Sequence, residues 1–250
     1  MGRPLQRGAP VALSVTVLGC DGSYPGPGGA CSGYLVRGGG ATLWLDAGSG
    51  TMANLQRHVA LDDVDAVVVS HEHPDHWTDL EAFYVACAYV IGRSGIPVYA
   101  PAGLERLTHA NTAPTFQWRT VAGGDGVGIG GLRLSFSRTD HGPETLAVRL
   151  DGDGGSLGYS ADSGPGWSLA QLGPGLDLAL CEATYLRDSE GTAHHMSARQ
   201  AGLSGREAGA GRLVLTHRWP TVPAEAVWKE GSEAFGAEVT LAEPNRQYQL

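Results

Sequence analysis

Ser70-His71-Glu72-His73-Pro74-Asp75-His76, in the first third of a 250-residue chain, is the stretch from which the rest can be read. Three imidazoles and the Asp75 carboxylate fall within the six residues from His71 to His76. Imidazole nitrogens and carboxylate oxygens are borderline-to-hard donors suited to Zn²⁺, Mn²⁺ or Fe. In extended or tightly turned backbone His71 and His73 point the same way, while Asp75 and His76 turn toward a second point where the next helix begins. The spacing therefore suits two neighbouring cations better than one. A lone histidine would read as an incidental loop residue, but this density argues against that reading.

Working outward, the cluster follows Ala66–Val69, a short continuous apolar run of the kind found in strands buried on both faces. Upstream, Val11–Leu18 reads as a strand ending in the turn Gly19-Cys20-Asp21-Gly22, followed by a Gly/Pro loop at Tyr24–Gly29. Tyr34–Arg37 and Thr42–Leu45 form a hairpin around Gly38-Gly39-Gly40, and Met52, Leu55 and Val59 give Thr51–Val59 helical spacing. Downstream come an apolar helix at Leu80–Ile91 and a strand at Ile96–Tyr99.

The second half repeats the style. Strands are expected at Leu132–Ser137, Leu146–Leu150 and Ser156–Ser160, then Leu176–Leu180, a helix around Ala198–Ala208, and strand Leu213–Thr216. Helix Ala224–Phe235 and a strand near Val239–Leu241 finish the chain. Strands followed by helices in both halves predict an α/β fold of two mixed β-sheets packed face to face, helices outside, in a single domain spanning 1–250 with about 1–10 flexible.

Composition narrows the partners. Net charge is −9, Lys229 is the only lysine, and the 16 arginines are scattered singly, so no basic stripe awaits a phosphate backbone. No apolar run approaches a membrane span, and Met1–Pro10 lacks the apolar core of a signal peptide. Cys20, Cys31, Cys87 and Cys181 lack CxxC spacing and read as reduced thiols of a cytoplasmic protein, although Cys20 and Cys31 could pair outside a cell. Glycine, 38 of the 250 residues, points to many tight turns.

The HxHxDH segment resembles the signature of the metallo-β-lactamase superfamily, whose fold is an αββα sandwich of two similar halves. The resemblance runs through nearly the whole chain in order. Asp46 resembles the aspartate that buttresses the metal loop, His141 the third-motif ligand, Asp162 the bridging carboxylate, and His217 the last ligand. Each closes a predicted strand, and sites in layered α/β folds gather where strands end. The resemblance implies one cation on His71, His73 and His141 and another on Asp75, His76 and His217, with Asp162 between them. Two divalent ions, Zn²⁺ first and Mn²⁺ or Fe²⁺ as alternatives, would activate a water that Asp75 is placed to hold. His58, His109 and His194 have no such context and read as surface or helix residues.

Cys181-Glu182-Ala183-Thr184-Tyr185, with His195-Met196-Ser197 beyond it, resembles the ribonuclease Z and phosphodiesterase branch. There Glu182 would orient His195, and His195 would protonate the leaving oxygen of a phosphodiester. The branch's tRNA-gripping arm is missing: only 21 positions separate His141 from Asp162. That departure, with the negative charge, favours a small phosphodiester such as a cyclic nucleotide over tRNA 3′ processing. Substrate choice is expected from Tyr24–Gly29, the helix after Trp77, and Thr112–Trp118, while Arg218 and Trp219 are either contacts for phosphate and base or plain surface residues. Lactone, thioester or β-lactam hydrolysis, an iron redox centre, and a non-catalytic binding module are the competing readings. The resemblance also allows a homodimer, though no helix face in the sequence stands out as its interface.

Overall fold

The computed structural model describes residues 12–109 and 111–250; the expected flexible leader and the start of the first strand at Val11 lie outside them. Strands β1 (Ser14–Gly19), β2 (Gly33–Gly38), β3 (Ala41–Ala47), β4 (Ala66–Val68), β5 (Ile96–Ala100) and β6 (Phe116–Thr120) follow in order. The second series is β7 (Gly126–Ile129), β8 (Leu132–Arg138), β9 (Leu146–Gly152), β10 (Gly155–Tyr159), β11 (Leu178–Glu182), β12 (Leu213–Thr216) and β13 (Thr240–Leu241), with β14 (Gln247–Gln249) last. One seven-stranded sheet runs β14-β1-β2-β3-β4-β5-β6 and the other β13-β12-β11-β10-β9-β8-β7. Both begin antiparallel and turn parallel, at β3–β4 and at β10–β11. The strand at the C-terminus crosses back to cover the edge of β1.

Local chemistry explains the joints. Gly39 (φ 54°) and Gly40 (φ 72°) turn the β2–β3 hairpin in two residues, both left-handed, the geometry that matches strand twist. Leu132, Leu134 and Phe136 alternate inward along β8, whereas β4 is buried on both faces. Between the sheets lie Val15, Val17, Leu43, Leu45 and Val68, facing Leu134, Phe136, Val148, Leu157, Leu178 and Val214. Helices α1 (Thr51–Leu55) and α2 (Asp79–Val85) cover the outer face of the first sheet through Leu55, Leu80 and Phe83 against Trp44 and Val67. On the second sheet α3 (Ala198–Glu207) and α4 (Ala224–Phe235) bury Ala198, Ala201 and Val227 against Cys181 and Leu215. Ser197 and Gln200 close a reciprocal capping box at the start of α3.

Three expectations need correction. The helix at Thr51–Val59 stops at Leu55; looser turns carry the chain on to Val59, whose amide still reaches the Leu55 carbonyl, and Arg37 holds the His58 carbonyl there. The helix at Leu80–Ile91 widens into a π-turn over Ala86–Ile91, and that half leaves Tyr89 and Val90 in solvent. Thr112–Trp118 is no substrate loop. It enters β6, which runs parallel to β4 and β5, so it lies at the end of the sheet opposite His71. No helix among the described residues is long and apolar enough to cross a membrane.

Candidate metal centre

Strands β3, β4, β8, β10, β11 and β12 all finish at one edge of the sandwich, and each delivers a candidate residue there. Asp46 comes first. Fully buried, its carboxylate accepts from the Ser70 amide (2.7 Å) and hydroxyl (2.8 Å), from His76 Nδ1 (2.7 Å) and from Tyr159 (2.6 Å). It thus fixes the loop after β4 to both sheets, and Trp77 closes the loop by donating to the Glu72 carbonyl. Asp46, Ala161 and His217 adopt left-handed backbone (φ 55°, 51° and 54°), turning the chain sharply where β3, β10 and β12 meet the cluster.

The structure gathers His71, His73, His141 and Asp162 into one group and Asp75, His76 and His217 into another, with ligand atoms in each within 4.8 Å of one another. Asp162 lies between them. Its Oδ2 is 3.5 Å from His71 Nε2, and its Oδ1 is 3.3 Å from Nε2 of both His76 and His217. Asp75 Oδ2 approaches His217 Nε2 at 3.2 Å and also accepts from the Ser23 amide at 2.9 Å. His73 Nδ1 and His141 Nε2 are 3.2 Å apart. Donors bound at about 2.0–2.1 Å around a tetrahedral ion are themselves about 3.3 Å apart, which is the spacing here.

Ring orientation supports the same use. Nδ1 of His71 faces the Ser70 hydroxyl (3.0 Å), that of His76 Asp46, that of His141 the His194 carbonyl (2.9 Å), and that of His217 the Thr184 hydroxyl (2.9 Å). All four therefore turn Nε2 into the cluster. His71 Nε2, His76 Nε2 and Asp162 Oδ1 are buried without any hydrogen-bond partner, a costly state unless a cation occupies the centre. Asp46, Asp75, Asp162 and Glu182 are all buried, and no arginine or lysine among the described residues bonds them. Such a concentration of negative charge calls for compensating cations. Burial pushes the His71 pKa down to about 4 and also lowers that of His141, keeping both neutral, as ligands must be. Burial would raise Asp162, but the facing His217, His76 and His71 outweigh it and hold the carboxyl well below its ordinary range.

Glu182, fully buried at the end of β11, accepts from the Ser163 amide (2.5 Å), the Thr184 hydroxyl (2.7 Å) and the Met196 amide (3.1 Å). Its Oε1 meets His195 Nδ1 at 3.1 Å, and that nitrogen is 4.0 Å from Asp162 Oδ2. Asp162, His195 and His217 form a third close group, so His195 stands at the rim of the ligand cluster.

Other residues turn out differently from expectation. The Arg218 guanidinium bonds the carbonyls of Trp219 and Val222, which makes it a brace for that turn rather than a free phosphate contact. Trp219 packs on Tyr185 and donates to Ser23 Oγ (3.0 Å), anchoring the loop after β1 beside Asp75. His194, expected to be incidental, supports His141 through its backbone carbonyl, and a backbone role leaves no mark in sequence. Ser70, Tyr159 and Thr184 carry no sequence signal of a supporting role, since ordinary hydroxyl residues gain meaning only from what folds against them. All four cysteines are free thiols.

A family profile described as "Beta-lactamase superfamily domain" matches residues 41–218. The "Probable metallo-hydrolase YhfI" of Bacillus subtilis is 31% identical over 236 residues, covering 92% of this chain and 97% of the relative. The crystal structure of that metallo-beta-lactamase fold protein superposes with a TM-score of 0.90 at 29% identity, covering 96% of this chain and 100% of the other. A "Ribonuclease Z" of Mycobacterium bovis is 26% identical over 248 residues, covering 84% of this chain and 87% of the relative.

Proposed function

The chain belongs to the metallo-β-lactamase superfamily, and from that membership we propose that it is a two-metal hydrolase of small phosphodiesters. His71, His73 and His141 would hold one cation and Asp75, His76 and His217 the other, with Asp162 bridging; the nitrogen-rich donor set suits Zn²⁺. When bound, the two ions supply an activated water as nucleophile and draw charge from the phosphoryl oxygens. Asp75, held by the Ser23 amide, orients the attacking water. His195, its Nδ1 committed to Glu182, presents Nε2 as the proton donor to the departing oxygen.

The observation that carries this reading is the buried Glu182 carboxylate 3.1 Å from His195. An alkoxide leaving phosphorus needs a proton, and the pair is placed to deliver one. A small substrate, with cyclic nucleotides as the leading class, fits the net charge of −9. It also fits the segment between His141 and Asp162, which β9, β10 and their turns consume, leaving no arm to grip RNA. The ribonuclease Z relative favours tRNA 3′ processing as the second reading. Four free thiols fit a reducing, cytoplasmic setting.

The test is His195→Ala assayed on two leaving groups. Hydrolysis of 3′,5′-cyclic AMP, which expels an alkoxide, should fall by about 10²–10⁴, while bis(p-nitrophenyl) phosphate, whose phenolate needs no proton, should fall far less. Equal losses on both would remove His195 from the acid role. Precursor tRNA, a lactone and a cephalosporin, run beside them on the Zn²⁺-, Mn²⁺- and Fe²⁺-loaded protein, would reveal the competing chemistries.

A further inference from the structure

Asp140 and His194 lie outside both ligand groups, yet three segments meet at this pair. The Asp140 carbonyl accepts from the Gly164 amide at 2.5 Å, and its carboxylate Oδ2 accepts from the Gly166 amide at 2.8 Å. Oδ1 accepts from His194 Nε2 at 2.8 Å. A Cβ at Gly164 would stand 2.7 Å from Asp140 Oδ2 and 3.0 Å from His194 Nε2, and one at Gly166 would stand 2.5 Å from the same carboxylate oxygen. Both positions are glycine where the clasp closes over them. Asp140 precedes His141, Gly164 and Gly166 follow Asp162, and His194 precedes His195.

The chain from Arg187 to His195 is a 3-10 turn followed by bends and turns, with no strand or long helix to stiffen it. Two of its groups nevertheless have to be placed closely. The His194 carbonyl accepts from His141 Nδ1 at 2.9 Å, which fixes the tautomer that aims Nε2 at the first ligand group. The next residue, His195, must keep Nδ1 on Glu182. Tyr185 steadies the segment from one side by donating to the carbonyls of Ala193 and His195 at 2.9 and 2.7 Å. From the other side the His194 side chain is the tie to the strand end that carries His141.

The geometry points to the Asp140–His194 clasp as a positioning device that sets metal affinity at the His71/His73/His141 group and, through the same segment, the placement of the His195 proton donor. Asp140 and His194 are positioning residues: neither touches the reacting atoms, and both act through His141 and His195. The inference rests on the ligand and acid roles proposed above. It adds a residue pair that no motif singles out, and a physical link between metal retention and proton delivery.

The test compares the full-length wild type with His194→Ala and His194→Gln, the latter able to place an amide N–H where Nε2 sits. Zn²⁺ alone is titrated against a chromophoric chelator, and the metal-free proteins are melted to confirm that substitution of this exposed side chain leaves the fold intact. His194→Ala should weaken one of the two Zn²⁺ equivalents by about 10- to 100-fold. It should also depress hydrolysis of 3′,5′-cyclic AMP more than that of bis(p-nitrophenyl) phosphate, and His194→Gln should restore most of both. Zn²⁺ affinity of the alanine variant within twofold of wild type, or no recovery with glutamine, overturns the clasp. A wild type that binds no Zn²⁺ or hydrolyses neither ester would instead defeat the proposed function, so the two failures are distinct.

Discussion

At His195 two effects oppose each other. Burial pulls its pKa down, while the Glu182 charge and hydrogen bond push it up and prevail, taking it from an ordinary 6.5 to about 9. A proton donor works in its protonated form, so a raised pKa carries activity further into the alkaline range, and activity falls as pH rises through that pKa. Bound cations repel the imidazolium and draw the limb below 9. In Glu182→Gln the largest raising charge is gone, leaving burial and the His76 charge opposed only by the Asp162 carboxylate. The basic limb of the kcat profile for an alkoxide-releasing ester should then shift down by about one unit or more, with little change for a p-nitrophenyl ester. An unmoved limb would mean that another group titrates. At this scale the sequence was most readable where side chains themselves do the work: the His71–His76 spacing and the strand-end positions of Asp46, His141, Asp162 and His217 announce a cluster. What it hid were partners defined by backbone, such as the Ser23 amide on Asp75 and the His194 carbonyl on His141.

Among the elements, glycine does two jobs that composition cannot separate. Gly39 and Gly40 turn a hairpin, as the abundance of the residue suggests, but Gly202 of α3 sits in a helix. A Cβ there would come within 2.5 Å of the Gly231 carbonyl of α4, so the two helices touch backbone to backbone. Gly202→Val should destabilise the protein by about 1–3 kcal/mol through overpacking, read as a lower midpoint in urea at unchanged slope. A midpoint equal to wild type would mean that the helices part without penalty. The same distinction explains which elements were legible. Apolar alternation exposes β8, and the continuous apolar run exposes β4. Strands β6, β7 and β14 are not legible because each is a sheet edge, where Gln117, Arg119, Gly126 and Gln247 break the pattern. Beyond Leu55 the chain keeps turning to Val59 beside Arg37 of β2, in looser turns that the helical spacing of Met52, Leu55 and Val59 does not distinguish from a helix.

For the whole molecule, the aliphatic layer between the sheets does not depend on the ligands at its rim. Metal removal should therefore leave a folded protein with a cooperative but lower melt. A cation at a thousandfold excess over its Kd contributes about 4 kcal/mol, so calorimetry with and without chelator should show a drop on the order of 10 °C for a chain of this length. A featureless trace from the chelated sample would mean that the centre, not the layer, holds the sheets together. The doubled topology of the two sheets was foreseeable from the repeated strand-then-helix order. The return of β14 to the first sheet was not, because a three-residue strand carries almost no periodic signal. The left-handed corners at Asp46, Ala161 and His217 bear on any attempt to harden this protein. Side chains resist that backbone geometry by about 1–2 kcal/mol per residue, so a search rewarding heat resistance alone would relieve Ala161 with glycine, whereas at Asp46 and His217 the buried hydrogen bonds and the ligand nitrogen outweigh that gain. Durability and turnover would therefore be selected in the same direction at Asp46 and His217, and only Ala161 would be free to change.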